Sequence, residues 1–319
     1  MDRFTGEPGA GGYAAGYDRF RPAPPDMLAV ILARMAGVAL AGDTTPGLPA
    51  LGTVVDLGSG TGLSTRYWAA RAARVVGVEP TDAMRRQAEE AGRAFTNIAY
   101  SRAFSHETGL PYQSADIVSC SQSLHWMHPV LTFREAARVL RPRGVFAASD
   151  YDWPPATGSW EADAAYQACA ERVDALAREH GVAPVVQVSD DDPEAQAEAE
   201  ALAAQSLGVA PAGRRALSPA AARPSAPVLH WDKERHLDRM RRSGAFRYVR
   251  EIAIHQQDAG NADRLVGLML SQGSVNSLLK LGFHQEDIGI AQLREAAARC
   301  LGPEPRPWVW TCRVRLGIV

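Results

Sequence analysis

Between Leu51 and Asp150 the chain alternates short runs of β-branched and small apolar residues with segments whose apolar positions recur at helical spacing. That alternation predicts a parallel sheet carrying helices on its faces. The predicted strands are 53–57, 74–79, 97–101, 116–121 and 144–149. Between the first two, Leu63, Tyr67, Ala70 and Ala73 share one helical face. Between the next two, Met84, Ala88, Ala91 and Phe95 do the same, with Thr81 placed to cap the first turn. Pro129 suits the start of a third helix with a buried stripe of Phe133, Ala136, Ala137 and Leu140, which "RPRG" is expected to stop.

Beyond Asp150 the texture changes. "DYDWPPATGSW" is aromatic and proline-rich, "SDDDPEAQAEAEALAAQSLG" has the acids, proline and helix formers of a solvated helix, and "VAPAGRRALSPAAARPSAP" reads as a mobile linker. Strand texture returns in "FRYVREIAIHQ" and "RPWVWTCRVRLGIV", on either side of a helical region from Asn261 to Leu301. The expected organisation is an N-terminal helical cap over 1–50, a core over 51–150, an inserted lid and substrate region with its linker over 151–245, and a return to the core over 246–319. A long insertion beside the C-terminal edge of a sheet commonly closes over a ligand.

Composition narrows the partners. Lysine and arginine number 34 against 36 acids, a net charge of −2, so no global field draws nucleic acid or an anionic membrane surface. Cys120, Cys169, Cys300 and Cys312 are scattered without metal or disulfide spacing, which suits a reducing cytoplasm. The stretch from Met27 to Gly42 is too short for a membrane span and reads as a soluble amphipathic helix, and the N-terminus lacks the basic flank and apolar core of an export signal.

The chemistry concentrates in "VVDLGSGTGLS", residues 54–64. Gly58, Gly60 and Gly62 let the backbone turn sharply and approach a ligand, with the N–H groups of the next helix pointing at it. Position 63 is leucine where a dinucleotide fingerprint needs glycine, and Asp56 before the turn repels a pyrophosphate, which argues against a nicotinamide enzyme. Glu79 closes the second strand, where this topology hydrogen-bonds a ribose diol, each charge-assisted bond contributing roughly 1.5 to 3 kcal/mol. The ligand implied is a nucleoside with a free ribose, no phosphates and a cationic or amino-acid portion.

"DLGSGTG" and "VVGVEPTDAM" resemble the class I S-adenosylmethionine-dependent methyltransferases. The resemblance implies an α/β fold with a Rossmann-like seven-stranded, mostly parallel sheet, helices on both faces and an inserted helical lid. It further implies that Asp56 and the turn (Gly58, Ser59, Gly60, Gly62) hold the methionine portion of S-adenosyl-L-methionine, Glu79 with Pro80 the ribose, and Met84 one face of the adenine. "RAFSHETGLP" lacks the usual adenine-binding acid, leaving backbone groups at Phe104 and Ser105 for that contact. "ADIVSCSQSLHWMHP" resembles the subgroup that includes ubiquinone-biosynthesis and trans-aconitate methyltransferases, which implies Ser121 and Gln122 near the sulfonium. "YAAGYDRFRP" resembles their N-terminal segment, bringing Tyr17 and Arg21 to the cofactor. The expected reaction is methyl transfer to a small, partly apolar acceptor through a carboxylate, hydroxyl or carbon; the alternative is a scaffold that binds the same cofactor and catalyses a rearrangement or cyclisation.

Each remaining candidate has a plainer reading beside it. His125 is a general base or a histidine that orders a loop; Asp150 and Asp152 orient or deprotonate a substrate, or are solvated turn residues. Trp126, Tyr151, Trp153 and Trp160 follow strands four and five, where they contact substrate or fill the core. His125 and His128 lack a third ligand, so no metal is expected. "KERHLDRMRRSGAFRYVR" is an exposed helix face or, in the minority reading, a source of arginines for a substrate anion. Oligomeric state is not encoded in any of these patterns.

Overall fold

A computed structural model describes residues 13–181, 185–188 and 228–319. The solvated helix expected within 189–208 and the linker over 209–227 lie outside the described residues. In the described part the chain runs α1 (Tyr13–Phe20), α2 (Asp26–Ala36), β1 (Thr53–Leu57), α3 (Leu63–Ala69), β2 (Arg74–Val78), α4 (Asp82–Ala91), β3 (Ile98–Ser101) and β4 (Ala115–Ser121). A 3-10 turn (Leu124–Trp126), α5 (Pro129–Val139), β5 (Leu140–Tyr151) and α6 (Trp160–Glu179) follow. The rest comprises β6 (Val185–Val188), β7 (Val228–Trp231), α7 (His236–Arg242), β8 (Tyr248–Gly260), α8 (Ala262–Leu270), α9 (Gly273–Lys280), α10 (Ile290–Cys300) and β9 (Arg306–Ile318).

Seven strands form one sheet in the order β3-β2-β1-β4-β5-β9-β8, with β1 to β5 parallel and β9 antiparallel to both its neighbours. β6 and β7 pair separately. Period-two alternation assigns the strand side chains to two cores. Val54, Val75, Ile117 and Val145 face a cluster with Leu32, Trp68, Tyr166 and Leu293; Val55, Val76, Val118 and Phe146 face a second with Phe133, Met240 and Phe246. The order reverses between β1 and β4, and the crevice beyond the strand ends at such a reversal is where ligands of this topology bind.

Four expectations need correction. Thr81 occupies the cap position of α4, but its side chain caps nothing; the Thr81 N–H instead donates to Glu79 Oε1 at 2.8 Å. The helix does stop before "RPRG", at Val139, but the strand expected over 144–149 is longer: β5 begins at Leu140 and runs through Tyr151, with Arg143 at φ 70° and a register shift opposite Ala115 and Ile117. Asp116 holds this irregular stretch, accepting from Arg141 Nη1 at 2.6 Å and from the N–H groups of Gly52 and Thr53 at 2.9 and 2.8 Å. Finally, α6, expected in the lid, packs against α9 and α10, and its Ala162, Tyr166, Cys169 and Val173 belong to the first core. Likewise α2 lies in that core through Leu28, Ala29, Leu32 and Ala33, while α1 and the segment after it reach the strand ends, through Asp18 at the turn and Ala23 O at Tyr151.

Candidate functional site

The turn after β1 is built around positive φ values at Gly58, Gly60 and Gly62 of 65°, 54° and 82°. Gly58 and Gly60 need glycine for different reasons. A Cβ on Gly58 would lie 2.5 Å from Met127 Cε and 2.8 Å from Ser123 Cβ, so the loop after β4 can close on the turn only over a bare backbone. Around Gly60 nothing lies within 4 Å of the Cβ position, and the turn is open there. The Gly60 N–H donates to Glu79 Oε2 at 3.0 Å. Glu79 is buried just beyond β2 and accepts backbone N–H groups on both oxygens, which fixes the carboxylate while leaving lone pairs for ligand hydroxyls. An open glycine turn, a fixed carboxylate and a buried acid before the turn fit the adenosyl sulfonium compound implied by the sequence.

Asp56 is fully buried; Oδ2 accepts from Thr65 Oγ1 at 2.7 Å and Oδ1 from Ser119 Oγ at 3.3 Å. Burial raises its carboxyl from 3.8 to about 6, against the lowering by the Thr65 and Ser119 hydroxyls. The folded pKa lies above the unfolded one, so the stability from this proton is fully present below about pH 4 and is lost as pH rises through 6. At pH 7.5 the ionised carboxylate costs roughly 3 kcal/mol of stability, at 1.36 kcal/mol per pKa unit. Asp56→Asn is therefore expected to raise the urea midpoint at pH 7.5, with the gain shrinking through pH 6 and gone near pH 4. Equal gains at pH 7.5 and pH 4 would contradict this.

Pro80 is half-buried next to Glu79, and Met84 on α4 is buried yet belongs to neither large core. Phe104 is 56% exposed and stacks on His106, whereas the Ser105 hydroxyl is spent on Thr132 Oγ1 at 2.8 Å, leaving only its backbone for a ligand. Ser121 ends β4. Gln122 follows with φ 56°, its N–H on Ser149 O at 2.8 Å and its side-chain amide nitrogen buried without a partner. A left-handed non-glycine residue with an orphaned buried donor at a strand end is compatible with the ligand contact expected of Gln122.

α1 is fastened to the turn by Asp18, which sequence reasoning missed: it accepts from Thr61 Oγ1 and pairs with Arg66 Nη2 at 2.6 Å. Arg21 points another way, donating from Nε and Nη2 to Ser271 Oγ and O at 2.9 and 3.2 Å, with its guanidinium 4.8 Å from the Tyr17 ring and 4.5 Å from the Trp153 ring.

At the β4 and β5 ends lies a charged cluster. His125 is buried, its Nδ1 has no hydrogen-bond partner, and Asp150 Oδ1 is 3.8 Å away. Asp150 carries Lys233 Nζ on Oδ1 at 3.1 Å and Arg315 Nη1 on Oδ2 at 3.2 Å, while Arg315 Nε reaches Glu251 at 2.8 Å. Burial, then Lys233, His230, His236 and Arg21, hold the His125 ring well below the usual histidine range. Trp126, 39% exposed, and His230 pack on that ring at 5.0 Å each. His128 caps α5, accepting from the Leu131 N–H. Asp152 pairs with Arg313 at 2.8 Å.

Of the aromatic candidates, Tyr151 takes the core reading and Trp160 lies at the surface, and the basic run differs from the exposed face expected of it. Tyr151 is a core tyrosine, 6% exposed against Trp310, with its hydroxyl donating to Ala23 O and accepting from Gln256. Trp160 stands 76% exposed at the start of α6. In "KERHLDRMRR" the face is not simply solvated, since His236, Arg239 and Met240 are buried. Lys233, Arg315, Glu251, His230 and His236 were not legible as site residues: the sheet order brings Arg315 and Glu251 to β5, and tertiary packing of the β7–α7 segment brings the other three; the cue available was the odd density of histidine and arginine around residue 236.

Residues 55–148 match the family model described as a methyltransferase domain. A Dictyostelium discoideum protein named as a methyltransferase is 26% identical over 113 residues, covering 35% of this chain and 41% of that protein. An uncharacterized methyltransferase of Mycobacterium tuberculosis is 35% identical over 91 residues, 28% of this chain and 36% of its own length. The matches thus span about two fifths or less of these relatives. A solved structure from Anaeromyxobacter dehalogenans, assigned as a type II methyltransferase, superposes with a TM-score of 0.53 over 94% of this chain and 98% of its own at 20% identity, a likeness of fold. The fold is the Rossmann-like fold of class I methyltransferases.

Proposed function

We propose that this chain, which carries a methyltransferase domain over residues 55–148, transfers a methyl group from S-adenosyl-L-methionine to a small, partly apolar acceptor, in the manner of the ubiquinone-biosynthesis and trans-aconitate subgroup. The observation that carries this reading is the open turn at Gly60 beside the fixed Glu79 carboxylate. Glu79 would take the ribose hydroxyls, Asp56 and the turn the amino-acid portion, and Met84 with the Phe104–Ser105 backbone the adenine. Bound there, S-adenosyl-L-methionine supplies an electrophilic methyl group on sulfur.

The protein's part is placement and proton control. Aligning acceptor, methyl carbon and sulfur contributes about 7 to 11 kcal/mol through proximity alone. Asp150, held by Lys233 and Arg315, orients neighbouring groups instead of removing a proton. His125 is the neutral side chain at the β4 exit able to accept one. Trp126 and Trp153 supply apolar wall. A cytoplasmic location accompanies this reading; among the described residues no helix is long and apolar enough to cross a membrane.

The test is incubation of the full chain with methyl-labelled S-adenosyl-L-methionine and small-molecule extracts, followed by mass spectrometry. A small molecule that gains one labelled methyl group is the expected result. Binding of S-adenosylhomocysteine too weak to detect, with tight binding of NAD, would end the assignment.

A further inference from the structure

Lys233 enters the site from the segment that follows β7, 83 residues after the aspartate it meets. Its ammonium lies 3.1 Å from Asp150 Oδ1, the same oxygen that faces His125 Nδ1 at 3.8 Å. The other oxygen, Oδ2, is taken by Arg315, which is itself shared with Glu251 of β8. Lys233 and His125 thus face one carboxylate oxygen; neither makes a hydrogen bond to it, and the lysine stands nearer, as an ion pair.

We propose that Lys233 is a positioning residue for His125: by occupying Asp150 it denies the imidazole an acid partner, so that the ring stays neutral and able to take the acceptor's proton. The proposal rests on the methyl-transfer reading. In the step it serves, His125 gains the proton as the X–H bond of the acceptor breaks; the freed pair on X bonds to the methyl carbon, and the C–S pair stays on sulfur. Imidazolium, methylated acceptor and neutral thioether balance the charge.

Every charged or titratable group around the ring bears on this. Arg21 approaches from the segment after α1, His230 from β7, and His236 from α7; Asp150 of β5 is the anion directly opposite, backed by Arg315 of β9. Arg21 and Arg315 have other anchors, in Ser271 and Glu251. Lys233 is the cation standing on the contested oxygen. Were it gone, a shift of less than 1 Å would bring Nδ1–H and Oδ1 within the 2.7 to 3.2 Å of a hydrogen bond, and a charge-assisted bond of that kind favours imidazolium.

The measurement is an NMR titration of the His125 ring in histidine-labelled full chain, assigned with His125→Asn, for wild type, Lys233→Met, Lys233→Gln and Lys233→Arg. Both neutral variants are expected to raise the His125 midpoint by one pH unit or more, a tenfold gain in proton affinity, while Lys233→Arg stays with wild type. A midpoint unchanged in the neutral variants, or moved equally by Lys233→Arg, overturns the proposal. Lys233 is half-buried at the surface, so loss of fold in one variant leaves the other to decide. Calorimetry with S-adenosylhomocysteine on the same samples separates the two ideas: absent binding in wild type sinks the methyltransferase reading, while the titration judges Lys233 by itself.

Discussion

Arg315→Met is expected to lower the unfolding free energy by about 3 to 5 kcal/mol in urea denaturation at pH 7.5. Arg315 is 4% exposed and links Asp150 to Glu251. Removing one member of a buried ionic set strands the others without compensation, and that desolvation penalty, more than the lost attraction, sets the size of the effect. Glu251 is half-buried and regains water, so the larger share of the loss traces to the buried Asp150, which keeps the partly exposed Lys233 alone on its other oxygen. The same reasoning predicts that Arg315→Met combined with Glu251→Gln and Asp150→Asn recovers most of the loss, because no bare charge then remains inside. A single-variant change under 1 kcal/mol would contradict the reading of this cluster as a buried ionic network.

Glu79→Ala is expected to weaken S-adenosylhomocysteine binding by at least 100-fold, about 3 kcal/mol, measured by calorimetry. Two ribose hydroxyls donating to a carboxylate each contribute roughly 1.5 to 3 kcal/mol, and losing both exceeds the threshold stated. The substitution also frees the Gly60 and Thr81 N–H groups, while the turn keeps its tie to the end of β2 through the Gly58 and Ser59 N–H groups on Val78 O. Glu79→Gln retains an acceptor without the charge and should fall between wild type and alanine. Affinity within threefold of wild type in the alanine variant would remove Glu79 from the cofactor site.

The first half of the sheet was legible in the sequence because its signals are local. β1 to β4 lie within a residue of expectation at either end, and Asp56, the glycine turn and Glu79 fall within one short stretch that repeats the strand–turn–helix pattern. β5 was read too short, since its irregular start depends on Asp116 and Arg141 meeting across strands. α6 was assigned to a lid because composition does not reveal that Tyr166 and Cys169 face α9 and α10. Tyr151 illustrates the same blindness: its position at a strand end suggests ligand contact, yet Ala23 and Gln256, distant in the chain, claim its hydroxyl. His125 and Asp150 were named with their candidate chemistry, but what holds Asp150 was not legible, because Arg315 arrives on β9 through the strand order and Lys233 from the segment after β7, outside the large sheet. Asp18 escaped for a similar reason, its partners lying on the far side of α2 and β1 in sequence.

The reversal of strand order between β1 and β4 has a consequence for how such a molecule changes its trade. The acids and glycines proposed to hold the nucleoside come from residues 54–84, whereas the groups around His125 come almost wholly from residues after 120. The opposing walls of one crevice are therefore written in separate passages of the chain. On the proposed reading, rewriting the later passage alters which molecule is modified while the donor's berth stays intact, so diversification on this scaffold needs no renegotiation of its energy source.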